Sequence, residues 1–131
     1  MRVIMLILYS YLVPGPPATF GFNDVYGNEV HLYWETPCEP NGRLGDYKLT
    51  VSADAKGKIQ EQRLDNDVTV YKVLGLVKLT KYKFELVATT SKGEGTAKIL
   101  ETTTPGNPGT FFLRILITVL YQPLFKQTTM L

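Results

Sequence analysis

Histidine is the side chain best suited to acid–base catalysis near neutral pH, and this 131-residue sequence contains one, His31. It stands between Val30 and Leu32 in an alternating segment, which places it on the outer face of a strand. A Ser–His–Asp or Cys–His arrangement would have to use this histidine. Its position predicts a surface role instead, so the sequence predicts that the protein is not an enzyme.

The residues that could bind metals or phosphate are few and poorly spaced. Cys38 is the single cysteine. We predict that its thiol is inert, and the alternative is an intermolecular disulfide. The acidic segment 65–67 lacks the ligand number and spacing of a calcium loop, which predicts a polar turn. Gly93 and Gly95 lack the phosphate-loop pattern and predict a hairpin tip that is free to adapt. No metal or cofactor is expected.

The charge balance of the chain limits its partners. The net charge of +2 comes from 14 basic and 12 acidic residues. The basic residues are dispersed, so no stripe for nucleic acid or an anionic membrane is predicted. We expect the partners to be other proteins and adjacent domains of the same chain, with no nucleic acid and no small-molecule substrate.

Apolar runs stand near both ends of the chain, from Val3 to Val13 and from Phe111 to Tyr121. Neither reaches the roughly 20 apolar residues that span a bilayer. Residues 1–13 have the apolar core and positive start of a signal peptide but no clean cleavage site. Two interpretations stay open, a signal-like segment or the flank of a fragment, and the second applies equally to residues 111–131.

The segments 14–17 and 105–109 are rich in proline and glycine and read as linkers, because proline fixes φ and glycine permits turns. They divide the chain into three parts. We predict an apolar N-terminal segment over residues 1–13, one domain over residues 14–105, and a linker with an apolar tail over residues 106–131.

Between these linkers the hydrophobic period is two, as in a strand that buries one face. Turn-forming residues separate the periodic segments, and none has the spacing of an amphipathic helix. Clear strands are predicted at 29–34, 47–51, 69–73 and 82–88, and weaker ones at 18–22, 59–64 and 97–103. The fold class is therefore all-β, a seven-stranded antiparallel β-sandwich. Its expected core residues are Trp34, Tyr47, Leu76, Tyr82 and Phe84.

Several motifs follow one another along these strands in a distinctive order: Val30-x-Leu32-x-Trp34, Tyr47-x-Leu49-x-Val51, Gly75-Leu76, Thr80-x-Tyr82-x-Phe84-x-Leu86-x-Ala88, Gly93-x-Gly95 and Thr103-Thr104-Pro105. Together they resemble a fibronectin type III domain. The resemblance implies an immunoglobulin-like sandwich in which Tyr82 is the tyrosine corner, its hydroxyl bonded to the chain a few residues upstream. Two loops depart from the family pattern: Lys78-Leu79 stands where Pro-Gly is frequent, and Thr36-Pro37 where Pro-Pro is frequent.

The resemblance also implies a function. It suggests a non-catalytic module that binds proteins or acts as a spacer in a multidomain adhesion molecule, receptor or matrix protein, located outside the cell or on its surface. Proline-rich segments on both sides of the domain favour a tandem array. The alternative is an intracellular module of a muscle-type or scaffold protein, in the cytoplasm.

If the module binds a protein, we expect the contact at the loop 91–96 or on the adjacent outer face of the sheet. Strands 47–51 and 82–88 are neighbours in such a sandwich, so Lys48 and Thr50 are expected beside Lys83 and Glu85. The alternatives are the loop 37–43 at the same end, or a pure spacer role. The candidate contact residues are Lys48, Thr50, Lys83, Glu85, Lys92 and Glu94.

The predicted strands and core all lie between residues 14 and 108. A polypeptide of these residues is therefore expected to unfold in one cooperative, two-state transition, without either apolar end. Thermal unfolding followed by circular dichroism measures this. Loss of the cooperative transition on trimming would contradict the prediction.

Overall fold

A computed structural model describes residues 13–106 of the chain. Within this range the regular structure is entirely β, and no helix long and apolar enough to cross a membrane occurs there. Eight strands follow one another: β1 Phe20–Val25, β2 Val30–Trp34, β3 Asp46–Ala53, β4 Gly57–Asp65, β5 Val70–Val73, β6 Lys81–Thr90, β7 Gly93–Glu94 and β8 Lys98–Thr103.

The strands form two antiparallel sheets. One sheet has three strands in the order β1-β2-β5, and the other has five, in which β4, β3 and β6 lie side by side. The far edge of β6 is shared, because β7 pairs with Thr89 and Thr90 while β8 pairs with residues 81–86. The predicted antiparallel sandwich is confirmed. It contains one more strand than predicted, since the two-residue β7 precedes the last strand.

Alternation of buried and partly exposed residues builds the core. Along β3 the side chains of Tyr47, Leu49, Val51 and Ala53 are buried, and the intervening residues are partly exposed. The ring of Tyr47 meets the ring of Trp34 edge-on at 5.7 Å. Burial raises the pKa of the Tyr47 hydroxyl. The expected core residues are all buried: Trp34, Tyr47, Leu76, Tyr82 and Phe84.

A corner of hydrogen bonds fixes the turn between β5 and β6. The backbone N–H of Val77 donates to the Tyr82 hydroxyl at 2.8 Å, which is the bond that a tyrosine corner requires. The buried Thr104 closes the same turn from the other side. Its hydroxyl donates to the Val77 carbonyl at 2.7 Å and accepts from the Thr80 N–H at 3.1 Å. Tyrosine and threonine therefore hold this turn together.

The segment 14–17, interpreted above as a linker, is packed against the sandwich. The Gly15 N–H donates to the Glu39 carbonyl at 2.9 Å, and the Thr96 N–H donates to the Pro14 carbonyl at 3.2 Å. Pro14 and Pro17 are fully buried. Proline lacks a donor but keeps its carbonyl and its apolar ring, so this segment acts as part of the domain. The apolar run 111–121, and residues 1–12 of the other end, lie outside the described residues.

The corner predicts the effect of removing one hydroxyl. Tyr82→Phe keeps the ring in the core but leaves the Val77 N–H unpaired, which should lower the free energy of unfolding by about 1 to 3 kcal/mol. Urea denaturation measures the change. Tyr33→Phe is the matched control, because Tyr33 is exposed on β2, and it should leave stability unchanged. Equal midpoints for both variants and the wild type would contradict the corner's role.

Candidate partner-binding surface

His31 lies on β2 outside the hydrophobic core cluster, and its side chain is partly buried. Its Nδ1 lies 3.4 Å from Asp24 Oδ2 and its Nε2 lies 3.4 Å from Glu29 Oε1. Its ring also packs edge-on against Tyr26 at 5.2 Å. Carboxylates on both sides and a tyrosine ring thus orient the imidazole. These contacts place a partly buried imidazole among two carboxylates and a tyrosine ring, outside the core.

The other residues considered for chemistry occupy loops and turns. Cys38 is exposed between β2 and β3. The acidic segment after β4 forms a turn in which the Val68 N–H donates to the Asp65 carbonyl at 3.0 Å, while the Asn66 amide donates to the Leu44 carbonyl at 2.8 Å. Among residues 13–106, no group of three or more His, Cys, Asp or Glu side chains could hold a metal ion.

The outer face of the five-stranded sheet carries most of the predicted contact residues. In the pairing of β3 with β6, Thr50 lies opposite Glu85, whereas Lys48 lies opposite Val87. Lys83 lies opposite Ser52. Thr50 therefore lies beside Glu85 as expected, whereas Lys48 does not lie beside Lys83, because antiparallel register places Lys83 opposite Ser52, farther along β3.

A chain of ion pairs joins β3, β4 and β7 at the end of the sheet nearest the β6–β7 turn. Lys48 Nζ lies 2.6 Å from Glu94 Oε1, and Arg63 lies between two acids, 3.6 Å from Glu94 Oε1 and 3.3 Å from Asp46 Oδ1. Thr89 also hydrogen-bonds to the Asp46 carboxylate. Bases and acids alternate along this chain, so each charge has a neighbour of opposite sign.

The second pair of predicted residues forms a separate ion pair in the middle of the face. Lys83 and Glu85 alternate along β6, and Lys83 Nζ lies 2.9 Å from Glu85 Oε1. The hydrogen bond to Glu85 and the charge of that carboxylate raise the pKa of Lys83. The pair presents a positive and a negative group side by side.

A shallow groove of about 920 Å³ lies beside the ion-pair chain. Ser91, Gly93 and Glu94 form one wall, from the predicted loop 91–96, and Arg43 contributes to the lining from the loop named as the alternative contact. The two alternatives thus meet at one groove. Its complete lining is Arg43, Leu44, Gly45, Asp46, Arg63, Asp65, Asn66, Thr89, Thr90, Ser91, Gly93 and Glu94.

Sequence reasoning missed Arg63 and Asp46 as members of this surface. Arg63 is the Cα partner of Lys48 across β3 and β4, so both project from the same face. The alternation of β4 contained a weak signal for this, because Arg63 precedes the one buried residue of that strand, Leu64. Only the register between the strands reveals the pairing.

Gly95 is held more tightly than the sequence predicted. Its N–H donates to the Ala88 carbonyl at 2.9 Å, and a Cβ atom at this position would clash with the carbonyl oxygen of Pro14. Gly93 pairs with Thr90 in β7, so the turn itself is Ser91-Lys92. The predicted hairpin tip is present beside Gly93, but Gly95 lies outside the turn and serves the close approach of the proline segment.

Comparisons with known proteins agree with this geometry. The sequence model described as "Fibronectin type III domain" matches residues 15–104. The chain is 36% identical to sidekick-2 of Mus musculus over 84 residues, which is 63% of this chain and 4% of that protein. It is 32% identical to neuroglian of Drosophila melanogaster over 98 residues, 70% of this chain and 8% of that protein. Neogenin of Homo sapiens is 34% identical over 83 residues, 63% of this chain and 6% of that protein. The chain thus spans a small fraction of these relatives.

Two solved structures show the same fold. A two-domain fibronectin type III segment of chicken tenascin gives a TM-score of 0.60 at 23% identity, covering 67% of this chain and 48% of that one. The FN5 domain of Drosophila Lar gives a TM-score of 0.60 at 23% identity, and the match covers 72% of this chain and 100% of that one. At this identity the likeness concerns the fold alone.

The close approach of Gly95 predicts a steric effect. Gly95→Ala should displace the proline segment and lower the free energy of unfolding by about 1 to 3 kcal/mol. Gly15→Ala is the matched control on the same segment, because its Cβ would lie 3.5 Å from the Glu39 carbonyl oxygen, an ordinary contact, and its effect should stay within about 0.5 kcal/mol. The test compares the urea midpoints of unfolding of the two variants with that of the wild type. An unchanged midpoint for Gly95→Ala would contradict the contact with Pro14.

Proposed function

Because this chain belongs to the fibronectin type III family, we propose that it is a non-catalytic module that binds a protein partner within a larger extracellular or cell-surface protein of the adhesion or receptor class. The relatives support both the modular character of the chain and the class of its parent protein. Each is many times longer than the matched region, as expected for one module among several. The similarity to sidekick-2, neuroglian and neogenin supports placing the parent protein among cell-surface adhesion and receptor proteins.

The observation that carries the binding proposal is the continuity of the groove with the charged outer face. Glu94 belongs to both, since it lines the groove and pairs with Lys48. Each charge there has a neighbour of opposite sign, so a partner's charges must match the order of these pairs to bind. Both signs of charge are present. We therefore propose a partner surface that is polar and carries both charges in a complementary order.

The six predicted contact residues remain our candidates, now with distinct places. Lys48 and Glu94 belong to the ion-pair chain beside the groove. Lys83, Glu85 and Thr50 lie further along the face, and Lys92 stands on the exposed β6–β7 turn. The face is polar, as outward faces of antiparallel sheets commonly are, so the spacer role is the outcome if none of these residues affects binding.

The proposal predicts that exchanging charges within a pair will weaken binding without unfolding the module. Lys48→Glu with Glu94→Lys keeps an ion pair but reverses its direction, and Lys83→Glu with Glu85→Lys does the same in the middle of the face. Binding to a partner isolated by cell-surface pull-down should fall roughly tenfold or more for at least one exchange. The measurement is the dissociation constant at fixed salt concentration.

The matched control is the exchange Lys72→Glu with Asp24→Lys, which reverses charges on β5 and β1 of the opposite, three-stranded sheet. It should leave binding unchanged. Circular dichroism and the thermal midpoint establish that each variant is folded. Undiminished binding by both face variants would reject this surface, leaving the loop 37–43 or a pure spacer role.

A further inference from the structure

Exposed apolar side chains are concentrated at the pole of the sandwich opposite the groove. Three of them lie on the connection between β5 and β6: Leu74 is 57% exposed, Val77 59% and Leu79 75%. Ile59 on β4 is also exposed and, with Val77, lines a hollow of about 370 Å³. We call Ile59, Leu74, Val77 and Leu79 the pole patch. Large apolar side chains grouped in this manner mark a surface that another apolar surface covers.

Leu79 is displayed at the cost of backbone strain. Its φ is +55°, in the left-handed region where glycine is relaxed and a leucine is not. The turn is held in this shape by the corner, because the Leu79 N–H donates to the Thr104 carbonyl at 3.0 Å. A glycine or asparagine would satisfy the same backbone. Of the large apolar side chains between residues 13 and 106, the most exposed one stands there instead.

The path of the chain determines what can cover this patch. Thr104 is buried and bonded within the corner, so the chain leaves the sandwich at the pole patch. Gly106 follows directly, close enough that a Cβ built on it would lie 3.6 Å from Leu79 Cδ2. Gly106, the last residue that the structure describes, therefore lies beside the most exposed member of the patch.

We propose that the apolar run Phe111–Tyr121 docks on the pole patch. The run contains one charged residue, Arg114, among ten other residues of which nine are apolar. From Gly106 to Phe111 the chain can reach at most about 18 Å, which keeps the run next to the patch. Docking removes two apolar surfaces from water at once.

Tethering favours this occupant over a second copy of the chain. A short flexible tether gives the run an effective concentration on the order of 1 mM at the patch, far above the concentration of a second molecule in a micromolar solution. The N-terminal apolar run is placed unfavourably, because it joins the sandwich at the groove end. There the Asn41 amide donates to the Val13 carbonyl at 2.9 Å.

Hydroxyl-radical footprinting of the full chain tests the proposal from both sides. Leu79→Asn suits the left-handed backbone and removes the apolar contact, so it should raise the labelling of residues 111–121 several-fold. Replacing Leu113 and Leu116 together with Asn should raise the labelling of Leu79 and Val77 several-fold. Each result reports the loss of one side of the same contact.

Two controls establish that the change in labelling is specific to this contact. Ile99→Thr removes an exposed apolar residue on β8, and replacing Leu6 and Leu8 together with Asn alters the N-terminal run. Neither should change labelling at the pole patch or at residues 111–121. Labelling should also stay constant between about 1 and 100 μM protein, below the effective concentration of a tethered run.

Three results would overturn the proposal. Residues 111–121 labelled in the wild type as fully as in the denatured chain would mean that the run is undocked. Labelling of residues 111–121 that does not change with Leu79→Asn would mean that the run lies away from the pole patch. Protection that disappears on dilution would assign the patch to a second copy.

Discussion

Trp34 lies between the three-stranded and the five-stranded sheet, where its ring meets Phe20 at 6.4 Å and Tyr47 at 5.7 Å. Phe20 and Trp34 are Cα partners within one sheet, and Tyr47 belongs to the other. The indole therefore links the two layers across a space of about 10 Å that few other side chains would fill. The register of β2 and β3 follows from this contact, since a slip of one residue would turn these rings outward.

That fixed register also creates the outer face. Once Tyr47 and Leu49 point inward, Lys48 must point outward, and pairing with β4 brings Arg63 beside it. The two cations would repel each other if they stood alone. The acids of β7 and β3, Glu94 and Asp46, lie among them. The same alternation that packs the core thus arranges the charged surface of the candidate site.

The fold could be predicted from the sequence because the pattern that indicates it is local. The alternation of apolar and polar residues in β2, β3 and β6 can be recognised without knowing which strands are neighbours. Tyr82 could be assigned to the corner through the family resemblance. The site could be predicted only in part. Which residue faces Lys48 depends on antiparallel register, and Glu94 reaches it through β7, a strand of two residues. Gly93-x-Gly95 suits both a flexible tip and a close backbone approach, and only the position of Pro14 distinguishes them.

The hydrogen bond between Pro14 and Thr96 has a mechanical consequence. It attaches the incoming chain just before β8, and the outgoing chain leaves from the other end of that strand at Thr104. The chain thus enters and leaves the sandwich at opposite poles, so tension applied to its two ends would act along the strands and load the bonds between neighbouring strands in shear, in which they must break together. A module strung between neighbours in this way would resist stretching up to a threshold and then yield abruptly.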